Sequence, residues 1–183
     1  MQRLLSRFFE LAVAEVERYG GTVNKFLGDG FMALVGVPVA HEDHARRAVL
    51  AALAIQERLR EGGEDRADPE LRVRMGLNTG RTLVGFLGAG PSLVYTVVGD
   101  TANVAARLQQ QAQPGTIVVS EATARLVAGY VRLEPLGSSV EGGPGYVDGP
   151  ADIHAVTNPT SLGEDAVSVH VYSPPLSSMN RYD

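Results

Sequence analysis

The stretch NKFLGDGFMA, residues 24–33, places a lysine four positions before an aspartate. Lys25 is the only lysine of the 183-residue chain, whose other fixed positive charges are arginines. Asp29 lies between two glycines, and Asp-Gly between two apolar runs predicts a β-hairpin. A carboxylate at a hairpin tip could hold Mg²⁺, which prefers one or two carboxylates together with phosphate oxygens. The alternatives are that Asp-Gly serves only as the turn and that Lys25 is an ordinary solvated strand residue.

A second polar group lies in VYTVVGDTANVAARLQ, residues 94–109. Thr96 is near the end of a predicted strand, Gly99-Asp100 forms a turn, and a helix follows. Asn103 and Arg107 are four residues apart and therefore share one helical face. An amide and a guanidinium on one face could brace a phosphate or a ribose oxygen. The alternative is a helix whose exposed side is simply polar.

The elements that would position these residues follow from the spacing of apolar side chains. Helices are predicted over 2–18, 41–60 and 101–112, and Ser120 is the predicted N-cap of a fourth helix ending near residue 128. Strands are predicted at 22–27, 31–36, 71–78, 82–87, 92–98, 116–119 and 131–136. This alternation of strands and helices predicts an α/β sandwich built on one sheet.

Composition changes after Gly137. Residues 1–137 hold equal numbers of basic and acidic residues, whereas residues 138–183 hold one arginine and six acidic residues and so account for the net charge of −5. The later segment is rich in turn residues, and AVSVHVYSPP, residues 166–175, alternates like a strand. We therefore predict two parts, 1–137 and 138–183.

Several classes of protein are disfavoured by composition. No run of 18 apolar residues predicts a membrane span, and no basic cluster indicates nucleic-acid binding. The chain has no cysteine, which excludes disulfides and thiolate chemistry. A cytoplasmic protein is expected.

The motifs together resemble the catalytic domain of class III adenylate and guanylate cyclases, which convert ATP or GTP into a 3′,5′-cyclic nucleotide. The resemblance covers about residues 1–136 and implies an α+β sandwich with a ferredoxin-like βαββαβ core that lacks its first strand. The matching segments are GGTVNKFLGDGFMALVGVPVAHEDHARRAVLAALAIQ, VRMGLNTGRTLVGFLG, YTVVGDTANVAARLQ and PGTIVVSEAT.

This resemblance implies a role for each polar residue. Lys25 would select the purine, with lysine going with adenine, and Thr96 would be its partner in base recognition. Arg74 would contact the triphosphate. The remaining implied roles are a metal ligand for Mg²⁺ or Mn²⁺ at Asp29, orientation of the ribose by Asn103, and stabilisation of phosphate charge by Arg107.

The implied reaction converts ATP to cyclic AMP and pyrophosphate by two-metal phosphoryl transfer at the interface of a head-to-tail homodimer. The family's first metal aspartate, its central first strand and a late phosphate-binding lysine lie outside the match. Impaired activity and unpaired sheet edges are therefore expected. The alternative is a non-catalytic module that pairs with another cyclase chain.

The tail, about residues 144–183, resembles the C-terminal end of cysteine dioxygenase, a cupin-barrel enzyme with non-haem iron. His154 would correspond to its third iron-binding histidine, and Ser168, His170 and Tyr172 to a relay beside the iron. The two other iron ligands of that family have no counterpart in the sequence, and one histidine cannot hold such an iron. A thiol dioxygenase fragment is therefore a further alternative, with His154 and His170 expected to be ordinary strand residues.

Overall fold

The structure, a computed structural model, describes residues 2–37, 39–61, 71–87, 94–98, 100–138, 152–156 and 166–173. Its helices are α1 (Gln2–Arg18), α2 (His44–Glu61), α3 (Asp100–Gln111) and α4 (Glu121–Val127). Its strands are β1 (Gly21–Leu27), β2 (Gly30–Val35), β3 (Arg72–Thr79), β4 (Leu83–Leu87), β5 (Val94–Val98), β6 (Ile117–Ser120), β7 (Leu133–Ser138), β8 (Asp152–Val156) and β9 (Ala166–Ser173).

Seven of these strands form one sheet in the order β1-β2-β9-β3-β6-β8-β7, and β4 and β5 form a separate antiparallel pair. Strands β2, β9, β3 and β6 are mutually parallel and occupy the centre of the sheet. Strand β1 at one side and strands β8 and β7 at the other add antiparallel pairings.

Helices α1 and α2 cover one face of this sheet. On α1, Phe8, Ala12 and Val16 recur every four residues and are buried, which is the stripe that a helix presents to a core. Each large side chain buried completely there contributes about 1.5–3 kcal/mol. The strands supply this larger core cluster with Phe31, Ala33, Val35, Val73, Met75, Leu77, Ile117 and Val119.

Helix α3 lies on the opposite face. Its Ala105 packs with Met32 and Leu34 of β2 in a smaller core cluster, and its Leu108 packs with Val118 of β6. Because both faces of β2 are covered, all its residues are buried. This explains why GFMALV is an uninterrupted apolar run rather than an alternating one.

Most predicted elements are confirmed to within a few residues, and the α/β class is confirmed. The prediction of a single sheet is wrong, because β4 and β5 form a second sheet of their own. Ser120 caps α4 by accepting a hydrogen bond from the Thr123 amide at 3.3 Å. Helix α2 begins at His44 rather than at residue 41. The backbone amide of His44 donates to the carbonyl oxygen of His41, and His44 Nδ1 lies 2.8 Å from the same oxygen. These contacts form a turn that precedes the helix. Arg47 donates to Asp43 at 2.6 Å, and this hydrogen bond lowers the pKa of the Asp43 carboxyl.

The tail contributes two strands to the same sheet. Strand β8 contains His154, which we expected to be a strand residue, and pairs with β6 and β7. Strand β9 pairs with both β2 and β3. The expectation of unpaired edges between β2 and β3 is therefore wrong, because β9 lies there. The division into 1–137 and 138–183 stays a prediction.

Within the described ranges, no helix is long and apolar enough to cross a bilayer.

Candidate functional site

The Asp-Gly hairpin forms as predicted and carries two exposed charged residues. Strands β1 and β2 pair antiparallel down to Leu27 and Gly30, with Asp29 in the connecting turn. Gly28 has a φ of +69°, a left-handed conformation in which a glycine avoids the strain of a side chain. Lys25 and Asp29 are both exposed to solvent. The hairpin therefore holds an ammonium and a carboxylate on a rigid base.

Lys25 lies on the face of the sheet that α3 covers. It is the register partner of Met32, and directly opposed residues of an antiparallel pair share a face. Met32 packs in the smaller core cluster with Ala105 of α3. The structure thus places Lys25 on the same side of the sheet as the helix that carries Asn103 and Arg107.

Arg74 lies at the same end of the sheet as Asp29. Phe31 of β2 and Met75 of β3 are both register partners of Val169. The residues that precede them, Gly30 and Arg74, therefore lie side by side at the same height along the sheet. Two strand spacings separate them, or about 10 Å. Such a distance suits a triphosphate spanning the two positions.

The Arg74 side chain contains a buried donor. Its Nε has no hydrogen-bond partner among the residues that the structure describes. A buried N–H without an acceptor is costly, and a phosphate oxygen is a suitable acceptor for a guanidinium. This observation supports the role that the resemblance implies for Arg74.

Asn103 and Arg107 are exposed on α3, as their four-residue spacing predicts. The buried residues of the same helix are Thr101, Ala105, Leu108 and Gln109. The amide and the guanidinium therefore point away from the sheet and are available to a molecule or a chain that lies outside this one.

Sequence reasoning missed the residues that hold α3 in place. A Cβ on Gly76 would fall well inside van der Waals contact of the Ala105 carbonyl oxygen and the Gln109 amide, and 2.9 Å from the Gln109 Cα. Asn78 donates its side-chain amide to the Thr101 carbonyl at 3.1 Å. The signal was present, because a glycine inside a strand pattern indicates a close backbone approach.

Two more contacts fix the start of the same helix. Thr101 Oγ1 donates to the Arg81 carbonyl at 2.6 Å, and a Cβ on Gly80 would lie 2.7 Å from Thr101 Oγ1. Helix α3 therefore starts beside the end of β3 and runs back along it over Gly76. This direction takes Arg107 toward the end of the sheet where Arg74 lies.

Thr96 lies in β5, where its backbone pairs with Gly85 of β4. That two-stranded sheet is separate from the seven-stranded sheet among the described strands. The predicted partnership of Thr96 and Lys25 in base recognition stays a prediction.

The hairpin offers one carboxylate to a metal ion. A single Asp29 fits one Mg²⁺ or Mn²⁺ that completes its shell with phosphate oxygens and water. Over the parts of the chain described, no three His, Asp or Glu side chains group together as a metal site. The residues present thus fit one metal brought with a nucleotide better than a preformed two-metal centre.

The dioxygenase-like residues are not brought together. When the strand register is followed from β8 through β6 and β3 to β9, His154 lies level with Val171. Three strand spacings, about 14 Å, separate His154 from Val171, and His170 is the neighbour of Val171 on β9. Ser168 and Tyr172 belong to the same strand as His170. An iron held at His154 would be out of reach of that relay.

A shallow, open pocket of about 420 Å³ lies elsewhere, between α2 and the segment that follows α4. It contains none of the cyclase-like site residues. Its lining includes Tyr19, Leu50, Glu57, Tyr130, Arg132 and Val156.

Comparison with solved structures finds cyclase domains. The adenylyl cyclase CyaB from P. aeruginosa superposes with a TM-score of 0.74 at 27% identity, covering 88% of this chain and 85% of that one. The guanylyl cyclase Cya2 gives 0.70 at 29% identity, with 88% and 83% covered. The guanylate cyclase domain of RhGC from Catenaria anguillulae, solved in complex with GTP, gives 0.68 at 27% identity, with 84% and 81% covered.

Curated relatives point the same way. Adenylate cyclase 1 of Rhizobium meliloti is 39% identical over 141 residues, which are 74% of this chain and 21% of that protein. The uncharacterized protein Rv1319c of Mycobacterium tuberculosis is 37% identical over 123 residues, 66% of this chain and 22% of that protein. The chain spans about a fifth of the length of these relatives.

Two family models match the sequence. The model for cysteine dioxygenase type I matches residues 137–183, which agrees with the resemblance of the tail. The model for the adenylate and guanylate cyclase catalytic domain matches residues 1–149, most of the chain. Because this model matches most of the chain, and because the solved cyclase domains share its fold, the chain belongs to the adenylate and guanylate cyclase catalytic domain family.

Proposed function

We propose that the chain converts ATP to 3′,5′-cyclic AMP and pyrophosphate at a site shared by two copies in a head-to-tail homodimer. The observation that carries this proposal is the grouping of Lys25, Asp29 and Arg74 near one end of the sheet. A polar face of α3, with Asn103 and Arg107, is exposed on the same side as Lys25.

Lys25 would recognise the base. Its ammonium has three donors on a flexible stem and can donate to a purine ring nitrogen, which accepts. Thr96 carries a hydroxyl that can donate or accept and would read the exocyclic group of the base. ATP is favoured over GTP because adenine presents its ring nitrogen as an acceptor where guanine presents an N–H donor.

The phosphates are bound by arginines. Arg74 would take the triphosphate through its buried guanidinium donor, and Arg107 would hold the charge that develops on the α-phosphate. Asn103 would fix the ribose by hydrogen bonds to its oxygens. These groups bring the 3′-oxygen close to the α-phosphorus, and such orientation lowers the barrier.

The reaction makes and breaks one bond each at phosphorus. The 3′-oxygen bonds to the α-phosphorus, the bond from that phosphorus to the bridging oxygen breaks, and pyrophosphate leaves. The proton of the 3′-hydroxyl passes to solvent. A Mg²⁺ or Mn²⁺ at Asp29, when bound, would neutralise charge on the phosphates.

The proposed homodimer is supported by the exposure of the site residues and by the single copy of each motif in the chain. The hairpin residues and the polar face of α3 are exposed, and the chain carries one copy of each motif. A two-fold interface repeats every contact. Placing Asp29 of one copy beside Lys25, Asn103 and Arg107 of the other would therefore create two equivalent sites.

The test is cyclic nucleotide formation by the purified chain with Mn²⁺ and either ATP or GTP. We expect cyclic AMP from ATP, little product from GTP, and loss of product in Asp29→Ala. Glu42→Ala removes an exposed carboxylate away from the hairpin and should leave the rate unchanged. Equal rates for Asp29→Ala and the parent chain would contradict the role of Asp29.

A non-catalytic role is the second candidate, favoured by the single carboxylate of the hairpin. In this case the chain would pair with another cyclase chain and contribute Lys25, Thr96, Asn103 and Arg107 to a shared site. The chain would then restore activity to a complete cyclase domain that lacks its own purine-binding lysine. The absence of such rescue would count against this candidate.

A further inference from the structure

The dioxygenase-like tail supplies the central strand of the sheet. We propose that the gap between β2 and β3 is a strand-binding slot and that residues 166–173 are its occupant, bound parallel to both neighbours. In this role the tail acts as an internal strand donor to the cyclase-like domain rather than as part of an iron site.

The slot results from the connection between β2 and β3. These two strands run parallel and are joined by α2, yet they do not pair with each other. The helix crosses over one strand position, as in a split βαβ unit, and leaves a gap the width of a single strand. Each side of the gap presents a row of backbone donors and acceptors.

An empty slot would be costly. Every residue of β2 is buried, and Val73, Met75 and Leu77 of β3 are almost completely buried. A buried backbone group that has no hydrogen-bond partner is destabilising. Strand β9 pairs with β2 from Phe31 to Leu34 and with β3 along its full length, from Arg72 to Thr79. These pairings give the paired residues on both sides of the slot a neighbouring strand.

The register of β9 matches its apolar residues to the core. Val167, Val169 and Val171 are the register partners of Val73, Met75 and Leu77 on β3. On the other side, Val169 and Val171 are the partners of Phe31 and Ala33. All five partners belong to the larger core cluster. A shift by one residue would place serine, histidine and tyrosine in this row instead, so the register is well specified.

The slot also has a consequence for the site. The occupant sets the separation of β2 and β3 and hence the spacing of Asp29 and Arg74. Its backbone also extends the surface on which α3 lies. The occupant therefore shapes the nucleotide site without supplying a catalytic group to it.

The test uses the absence of cysteine from the chain. Arg72 and Ala166 are register partners at one end of the β3–β9 pairing. Neighbouring strands lie about 4.8 Å apart, within the Cα separation that a disulfide requires. The double variant Arg72→Cys/Ala166→Cys should form an intrachain disulfide under mild oxidation, detected by mass and gel mobility.

A matched variant tests the direction of the strand. In Arg72→Cys/Ser173→Cys the second cysteine lies at the other end of β9, about 23 Å away. We expect a yield at least tenfold lower than for the first pair. Equal yields, or a higher yield for the second pair, would overturn the proposal, since an unbound or reversed tail gives those results.

Hydrogen exchange of the unmodified 183-residue chain gives an independent answer. Amides of residues 167–173 should exchange as slowly as those of β3, because strands in the centre of a sheet open only on global unfolding. Exchange at the rate of an unfolded peptide would overturn the proposal. Neither readout depends on cyclase activity, so the result stands apart from the proposed reaction.

Discussion

At the scale of single residues, the chain separates two kinds of positive charge. Two arginines lie where a guanidinium could meet a carboxylate or a phosphate: Arg58, which donates to Glu15, and Arg74, whose Nε atom is buried. Lysine occurs once, exposed on the strand that leads to the Asp29 turn. In the proposed reaction a compact ammonium would suit a single acceptor on a base, which would account for lysine at this position.

The choice leads to a prediction about substrate preference. Replacing Lys25 with glutamate removes the donor to adenine and introduces acceptors that suit the N–H groups of guanine. A hydrogen bond to a charged group contributes about 1.5–3 kcal/mol, so the rate with ATP should fall about 10- to 100-fold. The ratio of cyclic GMP to cyclic AMP, measured with both nucleotides present, should rise.

The control makes the same change of charge elsewhere. Arg125 is exposed on α4 and pairs with Glu121, and Arg125→Glu should leave the nucleotide preference unchanged. A Lys25→Glu variant that keeps the parent preference would show that Lys25 does not read the base.

At the scale of elements, close packing of α3 on β3 fixes the polar face that carries Asn103 and Arg107. Gly76 permits this approach, and the Asn78 and Thr101 hydrogen bonds fix the start of the helix. Gly76→Ala should destabilise the chain by about 3 kcal/mol or more, at the upper end of the cost of overpacking, because backbone atoms cannot move aside as a flexible side chain would. The measurement is the midpoint of urea unfolding with an unchanged slope.

Gly115→Ala is the matched control for that variant. Gly115 has a φ of +80° and only ordinary contacts around a built Cβ, the nearest at 3.8 Å. Its substitution costs backbone strain of about 1–2 kcal/mol without a clash. Equal losses in the two variants, or a smaller loss in Gly76→Ala, would show that the contact with α3 relaxes easily.

Helices α1 and α2 are joined by a buried carboxylate. The Glu15 side chain is 3% exposed and accepts from Arg58 at 3.0 Å and from Arg18 at 3.3 Å. Arg58 is itself 55% exposed, so solvent weakens the pair. Arg58→Ala should lower the free energy of unfolding by about 1–2 kcal/mol, since it leaves Glu15 with one partner.

The comparison for this pair is Arg125→Ala, which breaks an ion pair on the surface of α4. We expect a change within about 0.5 kcal/mol there. If thermal and urea unfolding place both variants at the same stability, the Glu15 pair contributes no more than a surface contact does.

Local elements could be predicted from the sequence because their signals are local. The Asp-Gly turn fixed the β1–β2 hairpin, and Ser120 fixed the start of α4. The place of β9 could not be predicted, because pairing between residues 31–34 and 169–172 depends on a match over a long separation. The role of Gly76 was open for the same reason, since its neighbours Ala105 and Gln109 come from a distant helix.

At the scale of the whole molecule, one sheet unites segments that resemble two unrelated families. Strands β8 and β9, from the part that matches cysteine dioxygenase, pair with β6, β2 and β3 of the cyclase-like part. Any strand of suitable length with apolar residues at alternate positions could occupy the slot, and β9 has three valines at such positions. Backbone pairing is general enough for such substitution, whereas an iron site requires specific ligands at specific distances.

The proposed homodimer can be tested by mixing two inactive variants. Asp29→Ala disables the metal-binding side of a site, and Arg107→Ala disables the side that carries α3. In a mixed dimer with shared sites, one site carries both substitutions and the other carries neither. Random pairing makes half of the dimers mixed, so activity should return to about one quarter of the parent value. The measurement is cyclic AMP formation after the two variants are co-expressed and purified together.

The matched control mixes two variants of the same side, Lys25→Ala with Arg107→Ala. In every dimer of this mixture each site receives one substitution on that side, so no activity should return. If neither mixture regains activity while size measurement shows mixed dimers, each site is built within one chain. The exposed face of α3 would then have to be reached by the hairpin of its own copy, and the head-to-tail arrangement would be wrong.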